Sequence, residues 1–538
     1  MTTARLGRRT LLPVAVAMVG LVGVSGCTME PEPLPVAGAI IVGTTDEILT
    51  LDPAGASDRG SLLVMANVYP HLLTTVAGSD EPVLDIALSA EFTSATEYTV
   101  VLKPGLTFAN GNALSATDVK FSFDRITTIN AEGGPARSFD GVSGIETPDD
   151  STVVFTLRQQ NDEWWPVVLA SPAAAIVDEE VFDSNRLTAN AEIVRGQSFA
   201  GQYVVETFRE KDLVQLRANP GYGGVLDEPL SDTVNLRYYG NAANLLRAVR
   251  DGDVDLATRG FSAEGIASVA SFDNLVVHTA PGSDIRFLAI NPAAAPFTSG
   301  ADVSAEKALA VRQAIADLID RPFLVSELYE GAYEPLWSFA PASVREGDEL
   351  LGLYGGADGA PDPVRAKQRF TDAGITPPVD ISIHYSSELY GAQADEELDW
   401  VMRQLTQGGL FRVEVVAEEA ADFASGLEAG TFPLFAESYF PAVFDAEDYL
   451  DSFFGDSSVL GASFGIPEVQ GLLATPTGGD TGAVRADVIT EQFELLAERL
   501  PVVPLLQSNH VFIASIDLAG VEAARAGSQL LRFATLSK

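Results

Sequence analysis

Tyr98–Ile126 reads YTVVLKPGLTFANGNALSATDVKFSFDRI, and its two ends obey different periods. With Glu97 in front, EYTVVL has the β-branched, alternating character of a strand; Lys103-Pro104-Gly105 then turns the chain, and Asn110-Gly111 makes a second tight turn. Ser115 and Asp118 stand at the S-x-x-D spacing of a capping box, and Val119, Phe123 and Ile126 follow at helical spacing, so Leu114–Ile126 is predicted to hold a helix. Downstream, STVVFTLR (Ser151–Arg158) alternates again, with Val153, Phe155 and Leu157 on one face. Farther out, AEKALAVRQAIADLIDRPF (Ala305–Phe323) places Leu309, Val311, Ile315, Leu318 and Ile319 along one side of a helix that Arg321-Pro322 ends. The pattern is mixed α/β, without a repeat of fixed period.

The chain has 538 residues, 46% of them hydrophobic. At roughly 150 residues per domain this suggests three domains, or two lobes with an insertion. The net charge of −42 repels nucleic acid and anionic lipid headgroups and suits an extracellular protein. No stretch after the N-terminus approaches the ~20 apolar residues of a membrane helix.

The N-terminus gives the only cysteine a role. Arg5, Arg8 and Arg9 precede an apolar run from Leu11 to Val24, the anatomy of a cleaved export signal over residues 1–26. Val24-Ser25-Gly26-Cys27 resembles the bacterial lipobox, in which the cysteine after the cleavage site carries a diacylglycerol. Two acyl chains at ~0.8 kcal/mol per buried methylene give on the order of 20 kcal/mol of anchoring. The proline-rich TMEPEPLPVAG that follows Cys27 is read as an extended tether over residues 27–38. "GRRTLL" also loosely resembles a twin-arginine export signal.

Catalytic motifs are mostly absent from the sequence. The four histidines, His71, His278, His384 and His510, are far apart and form no HExxH pattern, so no metal site and no cofactor are expected. Asp251, Asp253 and Asp255 imitate an EF-hand loop, but Leu256 stands where that loop requires Gly and Ser262 where it requires Glu. Gly461–Gly465 (GASFG) matches the nucleophile elbow, which would make Ser463 the nucleophile of a secreted hydrolase. Yet GDSSVL precedes it and Ile466-Pro467 follows, so a surface loop is the better reading and no enzyme activity is expected.

Taken in order, Tyr98–Ile126, Leu51–Thr74, Leu245–Ala257, Phe287–Pro335, Asp362–Ile375 and Leu500–Ala514 resemble one family along essentially the whole mature chain: the solute-binding proteins, family 5, of peptide, opine and nickel ABC importers. The resemblance implies a bilobed α/β clamp of the type II periplasmic-binding kind, with an extra inserted α/β domain. Its implied layout is lobe I from residues 39–75, 195–280 and 500–538, the insertion at 76–194, and lobe II at 281–499. It also implies a monomer that captures peptides or peptide-like solutes and hands them to a permease and its ATPase subunits, held outside the cell by lipid on Cys27. A nickel chelate, an oligosaccharide or an opine as ligand, and a sensing rather than importing role, stay open.

In family peptide binders the ligand backbone is added as a strand between two segments. The implied first segment is Asp58, Arg59, Gly60 and Ser61; the second is SYFPAVFDAEDYL, Ser438–Leu450. Glu437, Ser438, Tyr439, Phe440 and Asp445 are its candidate contacts, with Tyr385 and Tyr390 beside them in the cleft and Trp164, Trp165 and Trp337 as possible stacking surfaces. Ala442 stands where oligopeptide binders carry the aspartate for the ligand ammonium, so Asp445 or Glu437 substitutes, or the ligand lacks a free amine.

Overall fold

Tyr98–Ile126 folds as a strand–turn–helix unit. Glu97–Leu102 is a strand, Gly105 and Gly111 take the left-handed φ values (+77° and +94°) that the turns require, and the helix spans Ala116–Ile129 with its Ser115/Asp118 capping box formed. The strand lies in a four-stranded antiparallel sheet ordered Ala87–Phe92, Glu97–Leu102, Thr152–Leu157, Val142–Asp149. Val153, Phe155 and Leu157 are buried, and the helix packs Val119, Phe123 and Ile126 against them. Phe123 meets Phe155 and Phe139 edge-to-face at 5.4 and 5.1 Å.

This is a computed structural model; it describes residues 38–538 except 77–78, 80, 259–260, 270, 330, 342–343, 345–349, 392, 442, 456–457, 459, 461–463, 465–470, 472–481 and 525–529. The signal segment, Cys27, nearly all of the tether, Ala442 and Ser463 therefore lie outside the described residues.

Among the described residues a second, mixed sheet has eleven strands. Its order is Phe411–Ala417, Val379–Tyr385, Leu434–Tyr439, Leu275–Ile290, Val502–Ser515, Leu256–Thr258, Ile40–Thr44, Thr233–Tyr238, Leu213–Ala218, Tyr203–Arg209, with Tyr333–Pro335 also paired to Val502–Ser515. The two central strands, of 16 and 14 residues, run antiparallel and belong to both halves of the sheet. Leu275–Pro281 pairs with Asn509–Ser515; the register then shifts, and Ile285–Ala289 continues against Val502–Gln507 on one side while Ile285–Ile290 pairs with Leu434–Tyr439 on the other.

Separate cores follow. Ile40, Val42, Leu216 and Leu236 pack with the helix Arg59–Val68 in one half, while Leu288, Ile383, Leu434 and Val503 pack with the helices Ala305–Leu318 and Ala394–Gln407 in the other. Val311, Ile315, Leu318 and Ile319 are buried as expected, whereas Leu309 is half-buried. Ala305–Leu318 ends before the proline: Pro322 sits in the first turn of a new short helix, Arg321–Leu324, where its missing N–H leaves no bond unmade.

Buried ion pairs pin segments distant in sequence. Arg125, on the capped helix, grips Asp52 through two parallel bonds of 2.7 and 2.8 Å, both residues being at most 2% exposed. Asp317 is held by Arg365 at 2.5 Å and Arg369 at 2.6 Å. Asp255 of the EF-hand-like stretch accepts the Ile41 N–H at 2.7 Å and pairs with Lys538, a structural use of that carboxylate.

Candidate ligand-binding site

A cavity of about 660 Å³ opens where three parts of the chain meet: Ala56–Ser57 with Leu62, the segment after the capped helix through Asp140, and the end of strand Leu434–Tyr439 with the helix Ala446–Phe454. Each wall has a local cause. The capped helix stops at Asn130, which takes the left-handed conformation (φ 43°). Gly134 then lets the chain press against Asp52–Ala56, since a Cβ there would lie 2.8 Å from the Ala54 carbonyl oxygen. The 3₁₀ turn Pro135–Phe139 follows and presents Arg137.

The opposing helix is capped by Asp445, whose carboxylate accepts the Glu447 N–H at 2.9 Å. Its apolar stripe, Tyr449, Leu450, Phe453 and Phe454, enters the core, which leaves Asp448, Asp451 and Ser452 on the cavity wall. Tyr439 closes the corner: its ring packs on Phe453 at 4.7 Å, and its hydroxyl donates to Asp448 Oδ2 at 2.7 Å while lying 2.8 Å from Ser452 Oγ. From across the cavity Arg137 donates to the Ser452 carbonyl at 3.4 Å. Burial pushes the Asp448 carboxyl up to about 7, with Asp451 and Asp445 adding to the rise and Tyr439 and Arg137 opposing it. Burial alone pushes the half-buried Glu437 carboxyl up to about 7.

Of the residues singled out from sequence, Tyr439, Phe440 and Trp164 line this cavity. Asp58 caps the helix Arg59–Val68 by accepting the Ser61 N–H at 2.8 Å, and Ser61 Oγ accepts the Leu49 and Thr50 N–H groups at 3.1 and 3.0 Å. Burial raises the Asp58 carboxyl against the bonds from Ser61. Gly60 is required by crowding, because a Cβ would lie 2.1 Å from the Glu47 carbonyl oxygen.

Arg59 bridges Asp284 at 3.3 Å and His510 at 3.2 Å, with its guanidinium 4.2 Å above the Phe440 ring. Tyr385 donates to Asp395 at 2.7 Å, Tyr390 to Glu397 at 2.5 Å, and Ser438 to the Leu389 carbonyl at 3.4 Å. Trp165 is core, 5.0 Å from Phe155, and Trp337 is buried with Arg321 4.9 Å above it. Arg137, Asp448, Asp451 and Ser452 escaped the sequence reading. The available signal was the helical stripe of polar residues at 448, 451 and 452 beside the apolar 449, 450, 453 and 454.

A family model described as bacterial extracellular solute-binding proteins, family 5 Middle, matches residues 81–460, more than half of the chain. The chain belongs to this family. This family-5 protein is 24% identical over 399 residues to the glutathione-binding protein GsiB of Escherichia coli O1:K1 / APEC, covering 73% of the chain and 72% of that relative. It is 25% identical over 263 residues to the probable D,D-dipeptide-binding periplasmic protein DdpA of Escherichia coli (strain K12), covering 48% of the chain and 50% of that relative; the match thus spans half of DdpA's length. Among solved structures, the ABC transporter-associated periplasmic binding protein DppA of Helicobacter pylori, in complex with the peptide STSA, superposes with a TM-score of 0.74 at 18% identity over 93% of the chain and 98% of DppA. The family-5 chain has the bilobed type II fold, as its sequence implied.

Proposed function

We propose that this family-5 chain captures peptides or peptide-like solutes in the cavity and delivers them to an ABC permease driven by separate ATPase subunits. The observation that carries the reading is that one cavity is walled by three distant stretches, so an occupant touches all of them at once and favours the state in which they meet. The names of the peptide-binding relatives support the ligand class. Within this reading, lobe I comprises residues 39–75, 195–280 and 500–538, the insertion 76–194, and lobe II 281–499. The chain acts as a monomer without catalysis, tethered at the outer face of the membrane by lipid on Cys27. Tyr439 and Phe440 contact the solute directly, and Asp58–Ser61 and Arg59's partners hold the wall behind Phe440.

The test is thermal unfolding and calorimetric titration of the purified chain with a panel of di- and tripeptides. A binder present at a hundred times its Kd adds about 2.7 kcal/mol to stability and raises Tm. Recovery of a peptide in altered form, or the absence of any shift across the panel while a sugar or metal chelate gives one, refutes the peptide reading.

A further inference from the structure

Asp448 differs from the other acids on the cavity wall. Glu132 and Asp140 are exposed, and a chain of net charge −42 carries such carboxylates over much of its surface. Asp448 is only 5% exposed. Its Oδ2 accepts the Tyr439 hydroxyl, and no described residue donates to its Oδ1. Oδ1 is not among the buried atoms left without a partner, so it opens to the cavity, where a carboxylate this poorly hydrated gains from a positive partner.

The wall supplies little of that partner. Among the described residues Arg137 is its only cationic side chain, standing against Glu132, Asp140, Asp448 and Asp451, and one of its donors is engaged by the Ser452 carbonyl. A zwitterionic solute brings one charge of each sign and leaves this imbalance as it was. A solute of net positive charge reduces it. Trp164 also lines the cavity, and an indole is the aromatic ring that attracts a cation best.

Resting on the solute-binding reading of this cavity, we infer that it selects solutes of net positive charge, seating an ammonium or guanidinium on Asp448 in preference to neutral or anionic solutes of equal size. The experiment is calorimetric titration of the full chain at pH 8 and low salt with Ala-Lys-Ala, Ala-Gln-Ala and Ala-Glu-Ala, which differ only in the central side chain, and with spermidine as a cation that is not a peptide.

The expected order is lysine tightest and glutamate weakest, with the lysine peptide bound at least about tenfold more tightly than the glutamine peptide. In Asp448→Asn that ratio falls toward one. Should this variant not fold, the wild-type series alone decides. Equal affinity for the lysine and glutamine peptides overturns charge selection and leaves peptide binding intact. Spermidine binding with no peptide bound overturns the peptide reading and sustains charge selection. No binding by any of the four overturns charge selection.

Discussion

Replacing Arg125 by Met removes a buried cation while keeping most of the side-chain volume. In the native protein the guanidinium makes two bonds to Asp52, at 2.7 and 2.8 Å, a third to the Asp183 carbonyl at 3.0 Å, and lies 5.2 Å from the Phe182 ring centroid. Asp52 keeps the N–H groups of Thr188 (2.6 Å) and Ala54 (3.0 Å), but its charge stays buried without a counter-ion. Breaking such a pair from one side costs about 3–5 kcal/mol. For a cooperative unit of 150–250 residues, this lowers Tm by roughly 6–20 °C. The pairing term is isolated by a double-mutant cycle with Asp52→Asn, followed by urea unfolding. The double variant should recover a substantial part of the loss, because no unpaired charge remains. A loss under about 1 kcal/mol for Arg125→Met, or strict additivity of the two substitutions, would refute the reasoning.

Asp448 sits near 7 through burial, with Asp445 and Asp451 on its own helix, Tyr439 from the strand and Arg137 from the opposite wall around it; Glu132 and Asp140 stand at the rim. Below that value it is protonated and a cation gains little, so Ala-Lys-Ala should bind more weakly at pH 5.5 than at pH 8 and release protons near pH 7, measured by calorimetry in buffers of different ionisation enthalpy. Glu437 is likewise raised, to about 7, so the stability it contributes is present below its unfolded value near 4.5 and lost as pH rises through 7. Glu437→Gln should therefore raise Tm by about a few degrees at pH 8 and leave it unchanged at pH 4. Gly134→Ala places a methyl 2.8 Å from the Ala54 carbonyl oxygen and 3.0 Å from that of Ala131; it should cost about 1–3 kcal/mol in urea unfolding and weaken solute binding by displacing the Arg137 turn.

Much of the fold was legible because it is local. The strand, the turns and the capped helix of Tyr98–Ile126 are each written in neighbouring residues, and the alternation of Val153, Phe155 and Leu157 names its own buried face. The cavity is a different problem. Arg137, Asp448 and Asp451 come from segments more than 300 residues apart, and in an acidic sequence an aspartate on a helix looks like solvated surface; only the packing of Tyr449 and Phe453 into the core turns Asp448 inward. Arg59 illustrates the converse. The family resemblance placed it in a ligand-binding segment, yet Asp284 and His510, 225 and 451 residues away, already stand beside its guanidinium. Chain length separates such partners, and no pattern in one sequence joins them.

Between Pro281 and Ile285 three residues of one central strand face a single residue, Ser508, of the other. A regular antiparallel ladder resists bending because flexure must stretch many bonds together, but here the rungs are missing at one level, and both long strands cross it there. The pairing of these two strands is thereby interrupted here, ahead of a second shift between Arg286 and Phe287, and Gly282 lies so close to the Ser508 carbonyl that a Cβ would be only 2.5 Å away. Bulk added at that glycine would force the two central strands apart at a level that, among the described residues, contributes no side chain to the cavity wall.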